Sequence, residues 1–268
     1  MAGFDLRRFQ SLLRTRRLGR ACHYSPVLAS TNTSLRALAE QGSPEGTSVL
    51  ADAQTAGRGQ EGKVWISPPR HNLYVSILLR PPIPPTQAPL MSLLAAVALV
   101  DTLRQEGAVC GIKWPNDVLI RGRKVAGILT EMETARGAVR FVVVGIGVNV
   151  NMTQEEIERH LGSIAHTATS LQVALGRGVS REPLLAALMA SLEHWYERFT
   201  GEGEGVLHAA WESRSLMRGR RISARTHGTV WQGVAEGIDQ AGHLVLRQDN
   251  GAAVVLTSAE VRFLDEPG

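Results

Sequence analysis

Two kinds of apolar pattern alternate along this chain, and they predict different elements. Leu73–Leu79 is apolar at every position but Ser76 and of strand length, the mark of a strand covered on both faces. Leu90–Gln105 is apolar nearly all round, so it reads as a helix buried in the core and stopped by Gly107. Around these two the pattern is broken. Residues 23–28 carry Pro26 and suit an edge strand. Ser30-Thr31-Asn32 precedes a helix with Leu35, Leu38 and Ala39 inward and Gly42 at its end. Residues 47–52 read as a further strand. Residues 109–114, 118–120, 124–131 and 139–149 read as strands linked by turns at Arg121-Gly122-Arg123 and Ala135-Arg136-Gly137. Links that short pair strands antiparallel and leave no room for crossover helices, so the fold class is α+β and not a doubly wound sheet.

Helices return at residues 155–161, 170–175 and 182–199. Residues 201–205, Gly-Glu-Gly-Glu-Gly, read as a loop before a short helix around Trp211. From Arg218 the pattern changes to short strands at 222–225, 229–238, 243–247 and 253–256, with Asn250-Gly251 as a two-residue hairpin turn. Such a run predicts a small all-β barrel appended to the larger unit.

Composition adds little beyond this. With 268 residues, 44% apolar and 20% charged, the chain has the make-up of an ordinary globular protein with a sizeable core. A net charge of +4 points weakly to an anionic partner. Much of the excess sits in Arg7, Arg8, Arg14, Arg16, Arg17 and Arg20, where Leu6, Phe9, Leu12 and Leu13 mark one face of a basic helix. Asp5 is out of place in a presequence, so this helix is expected to dock on the rest of the chain. No secretory signal and no apolar run of membrane length is evident, which places the chain in the cytoplasm with no membrane partner. Cys22 and Cys110 lie far apart, and the histidines show no metal-ligand spacing, so no tightly bound protein metal is expected.

The chemistry concentrates in three stretches. The first is the strand-to-loop transition Gln54-Thr55-Ala56-Gly57-Arg58-Gly59-Gln60-Glu61-Gly62, followed by Lys63-Val64-Trp65. Glycines at that density leave backbone N–H groups free to converge on an anion. Arg58 adds a planar fork of donors, and Trp65 offers a flat face for a base. It is not a P-loop, because no Lys-Ser/Thr follows the last glycine. The second stretch, Lys113-Trp114-Pro115-Asn116-Asp117 with Arg123-Lys124-Val125-Ala126-Gly127-Ile128-Leu129, supplies cations, an amide able to read a base, and a carboxylate able to hold Mg²⁺. The third, Gly145-Ile146-Gly147-Val148-Asn149, ends a strand on small residues and an amide. Singly, each has a bland reading: a mobile surface loop, a solvated turn lysine, packing glycines. Together they describe a nucleotide pocket with several cations and no general-base histidine.

With Ser30-Thr31-Asn32 added, these stretches resemble, in the same order, the motif set of biotin protein ligases of the biotin–[acetyl-CoA-carboxylase] type. The resemblance spans residues 23–265. It implies a catalytic domain like that of class II aminoacyl-tRNA synthetases, with a mixed sheet, plus a C-terminal SH3-like barrel. The expected division is a basic helix at 1–20, a catalytic domain at 21–215 and the barrel at 216–268. The implied reaction joins biotin and ATP into biotinyl-5′-AMP, with Mg²⁺ as activator, and then moves biotin to a lysine of a biotin carboxyl carrier protein.

Position by position, the resemblance puts Ser30, Thr31 and Gln54 at the biotin ureido ring, with Asn32, Gly57, Gly59, Gln60, Gly127 and Gly145 completing the biotin site. Arg58 and Lys124 would reach the biotin carboxylate and the α-phosphate, with Lys113 a further catalytic cation. Trp65, Asn116 and Asn149 would surround adenine, with Arg58 and Gln60 also on ATP. Asp117 would stand near the metal and the reacting centre. Two departures stand out. The family most often has Arg where this chain has Gln60, and another cation where it has Glu61. Some members also carry an N-terminal helix-turn-helix, and twenty residues before the first strand are too few for one, so no DNA partner is expected and a homodimer stays open. The rival readings are a lipoate-type ligase, a nucleic-acid-binding protein and a sensor that makes the adenylate without transferring it. Ser30, Thr31 and Gln54 suit a ureido ring better than an apolar tunnel. The chain lacks the aromatic ladder or dense basic face of the nucleic-acid binder.

Overall fold

The computed structural model describes residues 3–226 and 228–264. Its centre is a seven-stranded sheet built from β1 (Cys22–Leu28), β2 (Ser48–Gln54), β3 (Leu73–Leu79), β4 (Cys110–Lys113), β5 (Asp117–Ile120), β6 (Arg123–Ala135) and β7 (Ala138–Val148). The spatial order is β1-β2-β3-β7-β6-β5-β4. Only β1 and β2 run parallel, connected through helix α2 (Thr31–Glu40). The other neighbours pair antiparallel, so the sheet is mixed. Arg121 and Gly122 both have positive φ at the β5–β6 turn, as do Arg136 and Gly137 at the β6–β7 turn. That backbone twist matches two strands folding directly back on each other.

The two faces of the sheet carry different loads. On one lies α3 (Leu90–Gln105), with thirteen of its sixteen residues buried; after the short α4 (Gln154–Leu161) and α5 (Leu171–Leu175), α6 (Arg181–Glu202) and α7 (Glu204–Glu212) back it. With the turn before it, Pro85–Gln105 is long and apolar enough to cross a membrane, contrary to the expectation that no such run exists. Here 78% of its most apolar window is enclosed, and that apolarity is spent on the core. On the other face α2 presents Leu35 and Ala39 to Val49, Leu78, Phe141 and Val143. Side chains alternate faces along a strand. The positions that follow Phe141 and Val143 on this face of β7 are therefore Gly145 and Gly147, and the sheet surface beyond α2 is stripped bare.

The amino-terminal segment is built into this core. Helix α1 (Leu6–Leu12) packs on α6 through Phe9, while Leu12 stands 39% exposed just where the apolar face was expected to continue. Three carboxylates hold the segment by its backbone. Asp52 accepts from Phe4 N at 3.3 Å, Glu182 from Asp5 N at 3.1 Å, and Glu193 from Arg16, Arg17 and Leu18 N at 2.6–3.0 Å. Burial pushes the Glu193 carboxyl up, but those three N–H donors and Arg17 outweigh it and hold it below the usual carboxylate range.

Residues 204–217 lead from the seven-stranded sheet and its helices to a second sheet of five antiparallel strands. These are β8 (Arg221–Thr226), β9 (Thr229–Ile238), β10 (Leu244–Arg247), β11 (Ala253–Leu256) and β12 (Glu260–Phe263), in the order β11-β10-β9-β8-β12. Three expectations change here. The 201–205 loop is a single break: α6 runs to Glu202, Gly203 takes φ +86°, and α7 starts at Glu204. The hairpin at Asn250-Gly251 is a longer turn, closed by Gln248 N to Ala252 O, with only Gly251 at positive φ. Strand β12 had no counterpart in the sequence reading, because four residues with two apolar positions, Val261 and Phe263, are too short a run to mark a strand.

Trp114 ties the two sheets together. It is 2% exposed, and its Nε1 donates to Gly242 O at 2.9 Å. Gly242 itself abuts Leu90 and Leu93 at the start of α3.

Candidate active site

The bare face of β6 and β7 forms the floor of a cavity of about 990 Å³. Fifteen of the sixteen site residues expected from sequence line it, and the exception is Gly57, which is buried behind the glycine loop. The cavity has two ends of different character.

At the α2 end the polar groups are uncharged, and all but the half-buried Gln54 are buried. Gln54, the last residue of β2, accepts at Oε1 from Thr31 N (2.9 Å) and Thr31 Oγ1 (3.2 Å) and donates from Nε2 to Ser67 Oγ at 3.0 Å. Ser76 Oγ on β3 lies 2.8 Å from Thr31 Oγ1 and 2.6 Å from Asn32 Oδ1. Asn32 Nδ2 donates to Leu129 O and to Glu131 Oε2. Its amide fills the space over Gly145, where a Cβ would collide with Oδ1. Ser30 is the N-cap position of α2, but its hydroxyl makes no cap bond and it lines the cavity. Behind this end, Asp52 holds β2 in place through a buried ion pair with Arg181 (2.6 Å) and the Tyr24 hydroxyl (2.7 Å). Burial, reinforced by the Asp52 contact, pushes Tyr24 up to about 12, so it stays a donor at neutral pH.

The other end is charged. Lys124, at the start of β6, pairs with Asp117 on β5 at 2.6 Å. Arg58 Nη2 lies 2.8 Å from Glu131 Oε2 and 3.3 Å from Thr33 Oγ1. The glycine loop is folded into a short ribbon: Gly59 N donates to Lys63 O at 2.6 Å and Trp65 N to Gly57 O at 3.0 Å. Gln60–Gly62 make a tight turn in which Glu61 takes φ +55°. Trp65 lies flat on the floor, because Gly147 and Gly127 have no side chains to exclude it. Its ring sits 5.3 Å from Lys124 Nζ, and its Nε1 is buried without a partner.

The remaining expected residues serve as struts. Asn116 Nδ2 donates to Ile128 O at 2.8 Å, fastening the loop around the cis Trp114–Pro115 bond to β6. Asn149 Nδ2 donates to Thr169 O at 3.1 Å. Lys113 Nζ lies 6.0 Å from the Phe263 ring of the second sheet.

Several residues of the site had no signal in the sequence reading. Ser67, Ser76 and Glu131 reach it through contacts spanning 13 to 99 residues. Ile164, His166 and Thr167 add a rim from the turn after α4 (Gln154–Leu161), and Ala259–Arg262 another from the second sheet. Among the described residues no group of three or more His, Cys, Asp or Glu side chains is arranged to hold a metal.

Residues 24–149 match the Biotin/lipoate A/B protein ligase family, and residues 219–264 match the Biotin protein ligase C terminal domain. The Bifunctional ligase/repressor BirA of Bacillus subtilis is 39% identical over 240 residues, covering 89% of this chain and 73% of that protein. The chain belongs to the biotin protein ligase family. Its ligase relatives include the Biotin--[acetyl-CoA-carboxylase] ligase of Paracoccus denitrificans, 38% identical over 80% of this chain and 89% of that one. The ligase fold is shared with the biotin protein ligase of Aquifex aeolicus, solved in complex with biotin and ATP. That structure superposes with a TM-score of 0.76 and covers 91% of this chain and 99% of the other, at 24% identity.

Proposed function

We propose that this chain activates biotin with ATP to biotinyl-5′-AMP and transfers the biotin to a specific lysine of a biotin carboxyl carrier protein domain. The observation that carries this is the two-ended cavity: an uncharged network suited to a ureido ring, continuous over a glycine floor that bears the Asn32 amide and the Trp65 ring, with a charged end suited to a carboxylate and a phosphate. In the first step a biotin carboxylate oxygen attacks the α-phosphorus, and the bond to pyrophosphate breaks. Two anions must meet, and Lys124 and Arg58 supply the opposing charge. Mg²⁺, when bound with ATP, neutralises phosphate charge. Asp117, which lines the cavity beside Lys124, would be the carboxylate to hold a phosphate-borne Mg²⁺, an ion that takes one or two protein carboxylates and the rest of its ligands from phosphate and water.

In the second step the lysine nitrogen attacks the acyl carbon and AMP departs. A free lysine with pKa about 10.4 is almost wholly protonated at neutral pH. Asp117 is the acceptor for that proton once Lys124 has turned to the phosphate. The glycine loop and Trp65 cover the anhydride and keep water from it. Roles for Lys113, Asn116 and Asn149 beyond strutting the site belong to the same reading. So does cytoplasmic localisation.

The test is transfer of labelled biotin to a carrier domain with ATP. Stable label on the carrier lysine is expected. Adenylate without transfer, or labelling by lipoate in preference to biotin, would overturn the proposal.

A further inference from the structure

We propose that Glu131 is a positioning residue that holds Arg58 away from the reacting centre in the empty enzyme and releases it to the substrate anion. The inference rests on the ligase reading, which makes Arg58 a ligand of the biotin carboxylate or the adenylate phosphate.

Glu131 sits on the ligand-facing side of β6, opposite Val143 of β7. One of its oxygens, Oε2, takes two donors: Asn32 Nδ2 at 2.7 Å and Arg58 Nη2 at 2.8 Å. Those donors differ in what binds them elsewhere. Asn32 is buried, and its Oδ1 is locked to Ser76, so it keeps its place whatever Arg58 does. Arg58 comes from the glycine loop with a side chain 45% exposed, and its other contact is the longer one to Thr33. The carboxylate is thus fixed from one side and offered on the other to a movable cation. When a substrate anion draws Arg58 away, Glu131 still has Asn32, and its side chain is 23% exposed, so solvent covers the vacated lone pairs at little cost.

Binding is therefore an exchange of one ion pair for another. Glu131 competes with the substrate for Arg58, and it also anchors the empty loop to the sheet.

Glu131→Gln separates this from a purely structural role, because the amide oxygen still accepts from Asn32 while the charge is gone. Arg58 loses its parking place, and the KM for biotin should fall about three- to fivefold, the scale of a half-exposed ion pair, with kcat within about twofold. Binding would then create an ion pair where the wild type only swaps one. Biotin affinity in the variant should consequently weaken more steeply with added salt. Trypsin should cut the ligand-free variant faster at Arg58, a readout that needs no activity and stands even if transfer to a carrier fails. In an Arg58→Ala background the same substitution should leave the KM unchanged.

A raised biotin KM in Glu131→Gln would overturn the proposal, since it would mean that Glu131 holds Arg58 in its working position. An unchanged KM, salt slope and cleavage rate, or an equal effect in the Arg58→Ala background, would overturn it as well.

Discussion

The two ends of the cavity solve opposite problems. At the uncharged end, Thr31, Asn32, Gln54 and Ser76 are bonded to one another and braced by β2, β3 and α2, so the polar groups are in place before any ligand arrives. At the charged end each cation is already partnered, Lys124 by Asp117 and Arg58 by Glu131. Neutral donors and acceptors tolerate burial when they satisfy one another, whereas an unpaired charge does not. The lesson is that a site can be rigid where it reads shape and exchangeable where it meets charge. Recognition is then fixed by packing, and the anionic chemistry is left to counter-ions that can be displaced.

The contrast breaks most visibly at Lys124. Lys124→Ala removes the cation that the proposed function sets beside the reacting phosphate, and losing one such stabilising group commonly costs about 10²–10³ in rate. Asp117 would be left without its 2.6 Å partner, but at the cavity edge, so the fold should survive. Pyrophosphate release on mixing with biotin and ATP should fall by that factor while the melting temperature barely moves. Release near the wild-type rate would remove Lys124 from the chemistry.

At the rigid end a smaller change should act differently. Gly145→Ala drives a Cβ into the Asn32 amide, which has no free direction to yield because Ser76, Leu129 and Glu131 hold it. Overpacking of this kind costs about 1–3 kcal/mol, and about 1.4 kcal/mol is a factor of ten in binding. The KM for biotin should rise roughly tenfold with that for ATP little changed. A rise shared equally by both substrates would show that the two ends are not independent.

Charge is not exchangeable everywhere, and Glu193 sharpens that point. Its carboxylate is saturated by three backbone N–H groups of the amino-terminal segment, none of which a substrate displaces. Its folded pKa lies below the unfolded value of about 4.3. The stability it adds is therefore present in full above about pH 4.3 and is lost as pH falls through the folded pKa. Glu193→Gln should lower stability at pH 7 by about 1–3 kcal/mol, leave both KM values alone, and converge on the wild type as pH falls through the folded pKa. A melting-temperature gap that stays constant across pH would refute a charge-based clamp.

Much of this was legible in the sequence because local pattern and tertiary outcome agree. Leu73–Leu79 and Leu90–Gln105 are apolar on nearly every side and become the buried strand and helix that pattern demands. The motif residues were legible as one group, since fifteen of sixteen line one cavity. What was not legible is where their polar atoms point. Asn32, Asn116 and Asn149 all spend their amide nitrogens on main-chain oxygens or on Glu131, partners that no spacing rule identifies. Glu131 looks like any exposed strand glutamate until α2 and the glycine loop are folded over it. The 201–205 stretch misled because Gly-rich composition suggests a loop, while α6 needs only Gly203 at positive φ to turn into α7.

The smallest expected effect tests the charged end at its margin. Gln60 is half-buried in the glycine loop and lines the cavity, two residues from Arg58. Gln60→Arg would add a second guanidinium able to make a charge-assisted, bidentate contact with phosphate that an amide cannot. Its gain is limited on two sides. Glu61 follows immediately on the same turn, and Glu131 already attracts the neighbouring arginine, so a new cation meets resident anions before it meets the ligand. The loop is also solvent-facing, where a single ion pair is worth at most about 1 kcal/mol. The dissociation rate of bound biotinyl-5′-AMP should therefore slow by no more than about fivefold, and the slowing should fade in high salt. Dissociation as fast as in the wild type, or faster, would mean that the phosphate does not reach this side of the loop. Contact with the adenylate would then fall to Arg58 and Lys124 alone.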